Sequence, residues 1–293
     1  MTRPITVGVD GSPESGAAAG WAAREAVRRG LPLRIVHAWQ WQSYDLVVAA
    51  DRGTQEAWAR ELVRTAERTA AERHHGLAAT GEAVEGDTVG TLVAEAERAE
   101  LLVLGSRGHG ALVGFLLGSV GQQTVADAVR PVVLVRGDDE PAAEAGGREI
   151  VVGQHGGPDD STVSAAALRF AFETAAARSA AVRAVRAWSL PPVFAYSPAS
   201  LHLLDEAGGF EPRERTALEE ALKPWRARFP DVAVTGHVEM GSAAQVMLAA
   251  AARAQLAVVG RRSSRLAVGG RVGSVAHALV HHVPCPVAVI PPS

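Results

Sequence analysis

The chain repeats itself, and that repeat limits its fold more than any other feature. Ile5-Thr-Val-Gly8-Val-Asp10-Gly-Ser12 returns as Ile150-Val-Val-Gly153-Gln-His155-Gly-Gly157. Leu33-Arg-Ile-Val-His37-Ala38-Trp39 returns as Val182-Arg-Ala-Val-Arg186-Ala187-Trp188. The run ending Leu-Val-Leu-Gly105 returns as Ala-Val-Val-Gly260, and Gly118-Ser119 returns as Gly273-Ser274. Each copy closes on Pro followed by an apolar run, after Arg130 in the first and Cys285 in the second. The offset grows from 145 to 155 residues, so the second copy carries about ten more. They are expected within 189–209, which is rich in Pro, Ser and Gly. A period this long means tandem domains and not a solenoid. The domains are read as 1–137 and 149–293, with the polar stretch 138–148 as a linker.

Strands alternate with helices inside each copy. The first copy predicts strands near 5–9, 33–39, 80–86, 101–105 and 131–135, and helices near 13–29, 54–75, 88–98 and 119–128. Pro13 suits the first turn of a helix, and Gly30 with Pro32 stops that helix. The strands read as continuous apolar runs, as expected when helices cover both faces of a parallel sheet. The fold class is α/β: two tandem open, doubly wound parallel sheets of five strands. Ligands of such sheets bind beyond the carboxyl ends of the strands. Gly8, Asp10, Ala38 and Gly105 fall there.

The fourth apolar run opens into a glycine series: Gly105, Ser106, Arg107, Gly108, His109, then Gly118, Ser119 and Val120 at a predicted helix start. Glycines let backbone N–H groups approach a ligand, and a helix N-terminus favours negative charge. A phosphate chain suits such a loop. The spacing is not that of a P-loop, since the only lysine is Lys223. Nor is it the dinucleotide fingerprint, which follows the first strand.

Composition excludes several classes. The net charge of −3 lacks the basic field that nonspecific nucleic-acid binding needs. A single cysteine, Cys285, rules out an internal disulfide and reads as a buried thiol between prolines. Metal binding at His281-His282 is not expected, because no further ligand has suitable spacing. No apolar run reaches membrane-spanning length and no signal-peptide pattern opens the chain, so a soluble cytoplasmic protein is expected.

On these motifs the chain resembles the universal stress protein family in its tandem two-domain form. Gly-x2-Gly-x9-Gly-Ser stands complete as Gly105, Gly108, Gly118 and Ser119. The resemblance spans about 5–136 and 149–290 and implies the strand order 3-2-1-4-5. It also implies binding of ATP, with Mg2+ on the phosphates. Asp10 resembles the acidic residue that contacts the nucleoside, with Gly8 allowing close approach beneath it. Ala38 resembles the residue whose backbone reads the adenine edge. Gly105 and Gly108 are to bend around the phosphates, with Arg107 adding charge. Gly118, Ser119 and Val120 are to offer N–H groups. Bland alternatives stand beside these roles. The glycines could serve packing and turns, Asp10 could cap the first helix, and His37 could be a satisfied structural histidine. His109 could simply be solvated. Trp39, Trp41 and Trp188 could stack on adenine or pack at the sheet edge.

The second copy departs from the motif. His155 stands for Asp10 and Ser263 for Gly108. Gly153, Ala187, Gly260, Gly273, Ser274 and Val275 remain, and Arg261 adds positive charge. A weaker second nucleotide site is expected. The implied function is an ATP-binding stress sensor or regulator that biases a surface for a protein partner. A slow ATPase or phosphotransferase and a nucleotide-independent interaction module are the alternatives. The halves are expected to pair through their fifth strands, and the whole chain to form a homodimer.

Overall fold

A computed structural model describes residues 2–41, 51–106, 118–137, 148–155, 161–190, 209–261 and 272–292. In the first repeat the order is β1 (Ile5–Gly8), α1 (Pro13–Arg29), β2 (Leu33–Trp39), α2 (Arg52–Arg73), β3 (Ala79–Glu85), α3 (Thr88–Arg98), β4 (Leu101–Ser106), α4 (Ser119–Asp127) and β5 (Val132–Arg136). The second repeat has β6 (Ile150–Gly153), α5 (Ser161–Arg178), β7 (Val182–Trp188), α6 (Glu211–Arg228), β8 (Val234–Met240), α7 (Ala243–Ala251), β9 (Leu256–Gly260), α8 (Ser274–His282) and β10 (Val287–Ile290). The connection from β2 to α2 covers 40–51, whereas that from β7 to α6 covers 189–210. The extra residues of the second copy therefore fall where its composition placed them.

The chain forms two compact units. One takes the first repeat together with parts of the second, among them Pro286–Pro291; the other takes most of the second repeat, including Gly273–Cys285. In the first unit the strands lie in the order β3-β2-β1-β4-β5, all parallel. β10 joins this unit antiparallel to β5, with Val287 opposite Leu134 and Val289 opposite Val132. The second unit repeats the order as β8-β7-β6-β9, again parallel. This doubly wound arrangement is the one the sequence pattern implied.

Strand order reverses between β1 and β4, so successive right-handed crossovers place helices on opposite faces. Accordingly α1 packs with α2, and α3 packs with α4. Two helices on each side bury the middle strands. Leu101, Leu102 and Val103 of β4 have no exposed surface, and neither do Ile5 and Val7 of β1. The outer strands differ from the expected apolar runs. β3 and β8 each pair on one side only, and half-buried or exposed residues dominate both. Glu82, Glu85, His237 and Glu239 point to water there. Charged residues on an edge strand discourage pairing with a further chain.

Helix α1 shows how local sequence sets the boundaries. Ser12 is its N-cap, accepting from Ser15 N at 3.1 Å, and Pro13 follows as the first helical residue. Gly30 ends the helix in the left-handed region at φ 62°, returning its N–H to Val27 O. A side chain with a Cβ is disfavoured in that conformation, which is why glycine suits the stop. Among the described residues no helix is long and apolar enough to cross a membrane.

Candidate functional site

The carboxyl ends of β1, β2 and β4 and the start of α4 enclose a cavity of about 540 Å³. Seven residues singled out in the sequence line it: Gly8, Asp10, Ala38, Gly105, Gly118, Ser119 and Val120. Arg107, Gly108 and His109 lie outside the described residues. Ser106 is described but turns away. It is 4% exposed, and its hydroxyl donates to Val135 O at 3.2 Å.

Each glycine has its own reason. A Cβ on Gly8 would meet Leu104 Cδ2 at 2.7 Å and Leu92 Cδ2 at 3.0 Å. A Cβ on Gly105 would strike the backbone of α1 at Glu14 and Ser15. Gly118 is different: among the described residues nothing lies within 4 Å of its missing Cβ. It is the N-cap of α4, and among the described residues no side chain caps that helix. The first N–H groups of a helix have no partner inside it, so the start of α4 has donors available to an anion.

Asp10 sits just past β1. Its Oδ1 accepts from Ser12 N at 3.0 Å and from Ser12 Oγ at 2.6 Å. Burial alone would push this carboxyl up, but hydrogen bonds from Ser12 and Ser15 outweigh it and hold it below the usual carboxylate range. Asp10 thus fixes Ser12, and Ser12 caps α1. The carboxylate is not itself the cap. His37 is buried, with Nδ1 2.7 Å from Val9 O, and its ring meets Trp58 edge-on at 5.6 Å between centroids. Its structural role is satisfied while its ring also lines the cavity. Trp39 is 9% exposed at the end of β2, and neither it nor Trp41 lines the cavity.

Sequence reasoning missed Ser12, Ser15, Thr88 and Leu92, which complete the walls. Ser12 and Ser15 carried a signal, because serine before Pro13 is a helix-start pattern. Leu92 carried none: it is one apolar residue on an amphipathic helix.

The second unit holds the matching cavity, of about 240 Å³. Gly153, His155, Ala187, Gly260, Gly273, Ser274 and Val275 line it. Arg261 is not among its walls, and Ser263 lies outside the described residues. Met247 is one of its walls. It stands where α3 has Leu92, and its sulfur lies 3.3 Å from the missing Cβ of Gly153. Arg186 replaces His37, with Nη1 donating to Gln154 Oε1 at 2.7 Å and Nε to Glu214 Oε2 at 2.5 Å. Like Gly118, Gly273 begins a helix without a side-chain cap. Trp188 does not line this cavity; its ring lies 6.1 Å from that of Phe210. Cys285 is buried, its thiol 3.8 Å from Ala251 O. Among the described residues no group of three His, Cys, Asp or Glu could hold a metal ion.

Comparison with known proteins agrees with this repeated geometry. The family model described as universal stress protein family matches twice, over residues 1–136 and 148–291. A universal stress protein of Mycobacterium tuberculosis is 35% identical over 99% of both chains. The solved structure of a universal stress protein from Archaeoglobus fulgidus has the same fold, with TM-score 0.67 and 17% identity over 98% of both chains. A solved universal stress protein in complex with cAMP matches 46% of this chain and 98% of its own, at 23% identity and TM-score 0.36. With two model matches that together span nearly its whole length, the chain belongs to the universal stress protein family.

Proposed function

We propose that the chain is a stress-response regulator that binds an adenine nucleotide, ATP, in its first repeat. One observation carries this reading: a single cavity gathers Gly8, Asp10, Ala38 and the uncapped start of α4 at Gly118. An ionised carboxylate has about four lone-pair sites, so Asp10 can hold Ser12 and still accept a ribose hydroxyl. The Ala38 backbone lies at the end of β2 for the adenine edge. The triphosphate, with its Mg2+, lies against the start of α4, where the helix dipole favours negative charge. The two repeats are joined by 138–148, the first bearing the stronger site. The ligand orders the strand-end loops and so presents a surface to a regulatory protein. Binding, and not turnover, is the function.

The test is calorimetric titration of the full chain with ATP, beside mass spectrometry of any ligand released from freshly purified protein. Gly118→Val adds a side chain at a residue that lines the cavity, where no described residue lies within 4 Å of the new Cβ. It is expected to weaken ATP binding at least ~10-fold, the loss of one charge-assisted hydrogen bond or more. Unchanged affinity in a folded Gly118→Val variant overturns the placement.

A further inference from the structure

A second cavity of the first unit, about 490 Å³, lies between α1 and α2. Small residues form its walls: Gly16, Ala19, Gly20 and Ala23 on α1, with Ala66 and Ala70 on α2. Trp58 and Leu62 flank one end, Arg73 and His74 the other. From Trp58 to Arg73 along α2 is about 22 Å at the helical rise. It shares Val9, Ser12 and Ser15 with the nucleotide-sized cavity but runs away from it along the helices.

The second repeat provides an internal control. Counted back from the terminal arginines of the paired helices, Ala23 corresponds to Phe172, Ala70 to Trp225 and His74 to Phe229. Those three aromatic residues pack on one another there. Phe172 stacks on Trp225 with ring centroids 6.0 Å apart, and Phe229 lies 5.9 Å from Phe172. Phe172 is fully buried. The second repeat fills with its own rings the space that the first repeat leaves open.

The charge at the open end is one-signed. Burial first, then Arg24, Arg73 and Arg28, holds the His74 imidazole below its ordinary pKa. Arg73 makes no ion pair among the described residues. The one acidic residue in the walls, Glu61, is already held by Arg68 at 2.8 Å. An apolar groove with an unneutralised guanidinium at its end complements an apolar molecule with an anionic head.

We propose that this groove binds a hydrophobic carboxylate, its apolar body between α1 and α2 and its carboxylate on Arg73. The body can come from an acyl chain or an aromatic ring system, and both share this chemistry. The proposal does not rest on nucleotide binding: Gly20, Ala70 and Arg73, which its test varies, line this groove alone, and its probes carry no nucleotide.

The experiment titrates the full chain with dodecanoate, 2-naphthoate and dodecanol. At least one carboxylate is expected to bind saturably at one site per chain; dodecanoate alone marks an acyl ligand, naphthoate alone an aromatic one. Arg73→Gln is expected to weaken that binding about 10-fold, as loss of a charge-assisted hydrogen bond does. Ala70→Trp imports the aromatic plug of the second repeat and is expected to abolish binding. Gly20→Leu fills the groove from the other wall while replacing a helical glycine, a change that favours the helix, and its thermal unfolding, measured beside binding, shows that the variant is folded. Absence of binding by both carboxylates, equal affinity for dodecanol, or unchanged binding in Arg73→Gln or Gly20→Leu overturns the proposal.

Discussion

The Cβ that Gly105 lacks would lie 2.7 Å from the carbonyl carbon of Glu14. The end of β4 therefore touches the first turn of α1 without a side chain between them. Gly105→Ala forces a Cβ against the backbone of Glu14 and Ser15, which neither element can relieve by a rotamer change. Overpacking of this kind costs about 1–3 kcal/mol. Urea denaturation is expected to show that loss for Gly105→Ala and a smaller one for Gly118→Ala, where the space is open.

The two cavities should differ in affinity for ATP. Asp10 offers a carboxylate where the second unit has His155, and the second cavity is smaller, about 240 Å³ against about 540 Å³. Loss of a charged hydrogen bond is worth ~1.5–3 kcal/mol, or roughly 10- to 100-fold. Calorimetry should resolve one tight site, lost in Asp10→Ala. Two equal sites, of which Asp10→Ala removes one, would contradict the assignment of His155.

Arg34 clamps β2 to α3. Its Nε donates to Glu95 Oε2 at 2.6 Å and its Nη2 to Glu82 Oε2 at 2.7 Å. Glu95 is the larger cause of the raised guanidinium pKa, and its side chain is 4% exposed against 56% for Glu82. Arg34→Met leaves the Glu95 carboxylate buried with only Arg98 at 3.5 Å. A destabilisation of about 2 kcal/mol is expected, less than for a fully buried pair because Arg34 itself is partly in water. Glu82→Gln should cost less than ~0.5 kcal/mol. A reversed order in chemical denaturation would refute this account.

Stability should fall in mild acid. Burial, then His277 and His282, holds His281 below its ordinary pKa of 6.5, and its Nε2 has no hydrogen-bond partner among the described residues. The folded protein then binds fewer protons than the unfolded chain. Its contribution is full above about 6.5 and is lost as pH falls through the lowered folded value. Melting temperatures between about pH 7.5 and 5.5 should decline less steeply in His281→Leu than in the parent.

Much of this molecule was legible because its signals are local. Pro13, Gly30 and the apolar runs fixed element order, and the glycines at strand ends marked the cavity. Ser106 was not legible, since only the pairing of β4 with β5 turns its hydroxyl to Val135. The exposed character of β3 was missed because its edge position depends on strand order and not on its own residues. The groove between α1 and α2 was invisible for the same reason: alanines and glycines on two helices say nothing until the helices are placed side by side.

Finally, β5 receives its antiparallel partner from β10, which is synthesised about 150 residues later. At usual translation speeds the first unit waits on the order of ten seconds for its last strand. During that interval Val132–Arg136 offers an unpaired apolar edge on the ribosome. Until β10 covers it, that edge has the form of a template for pairing with another chain.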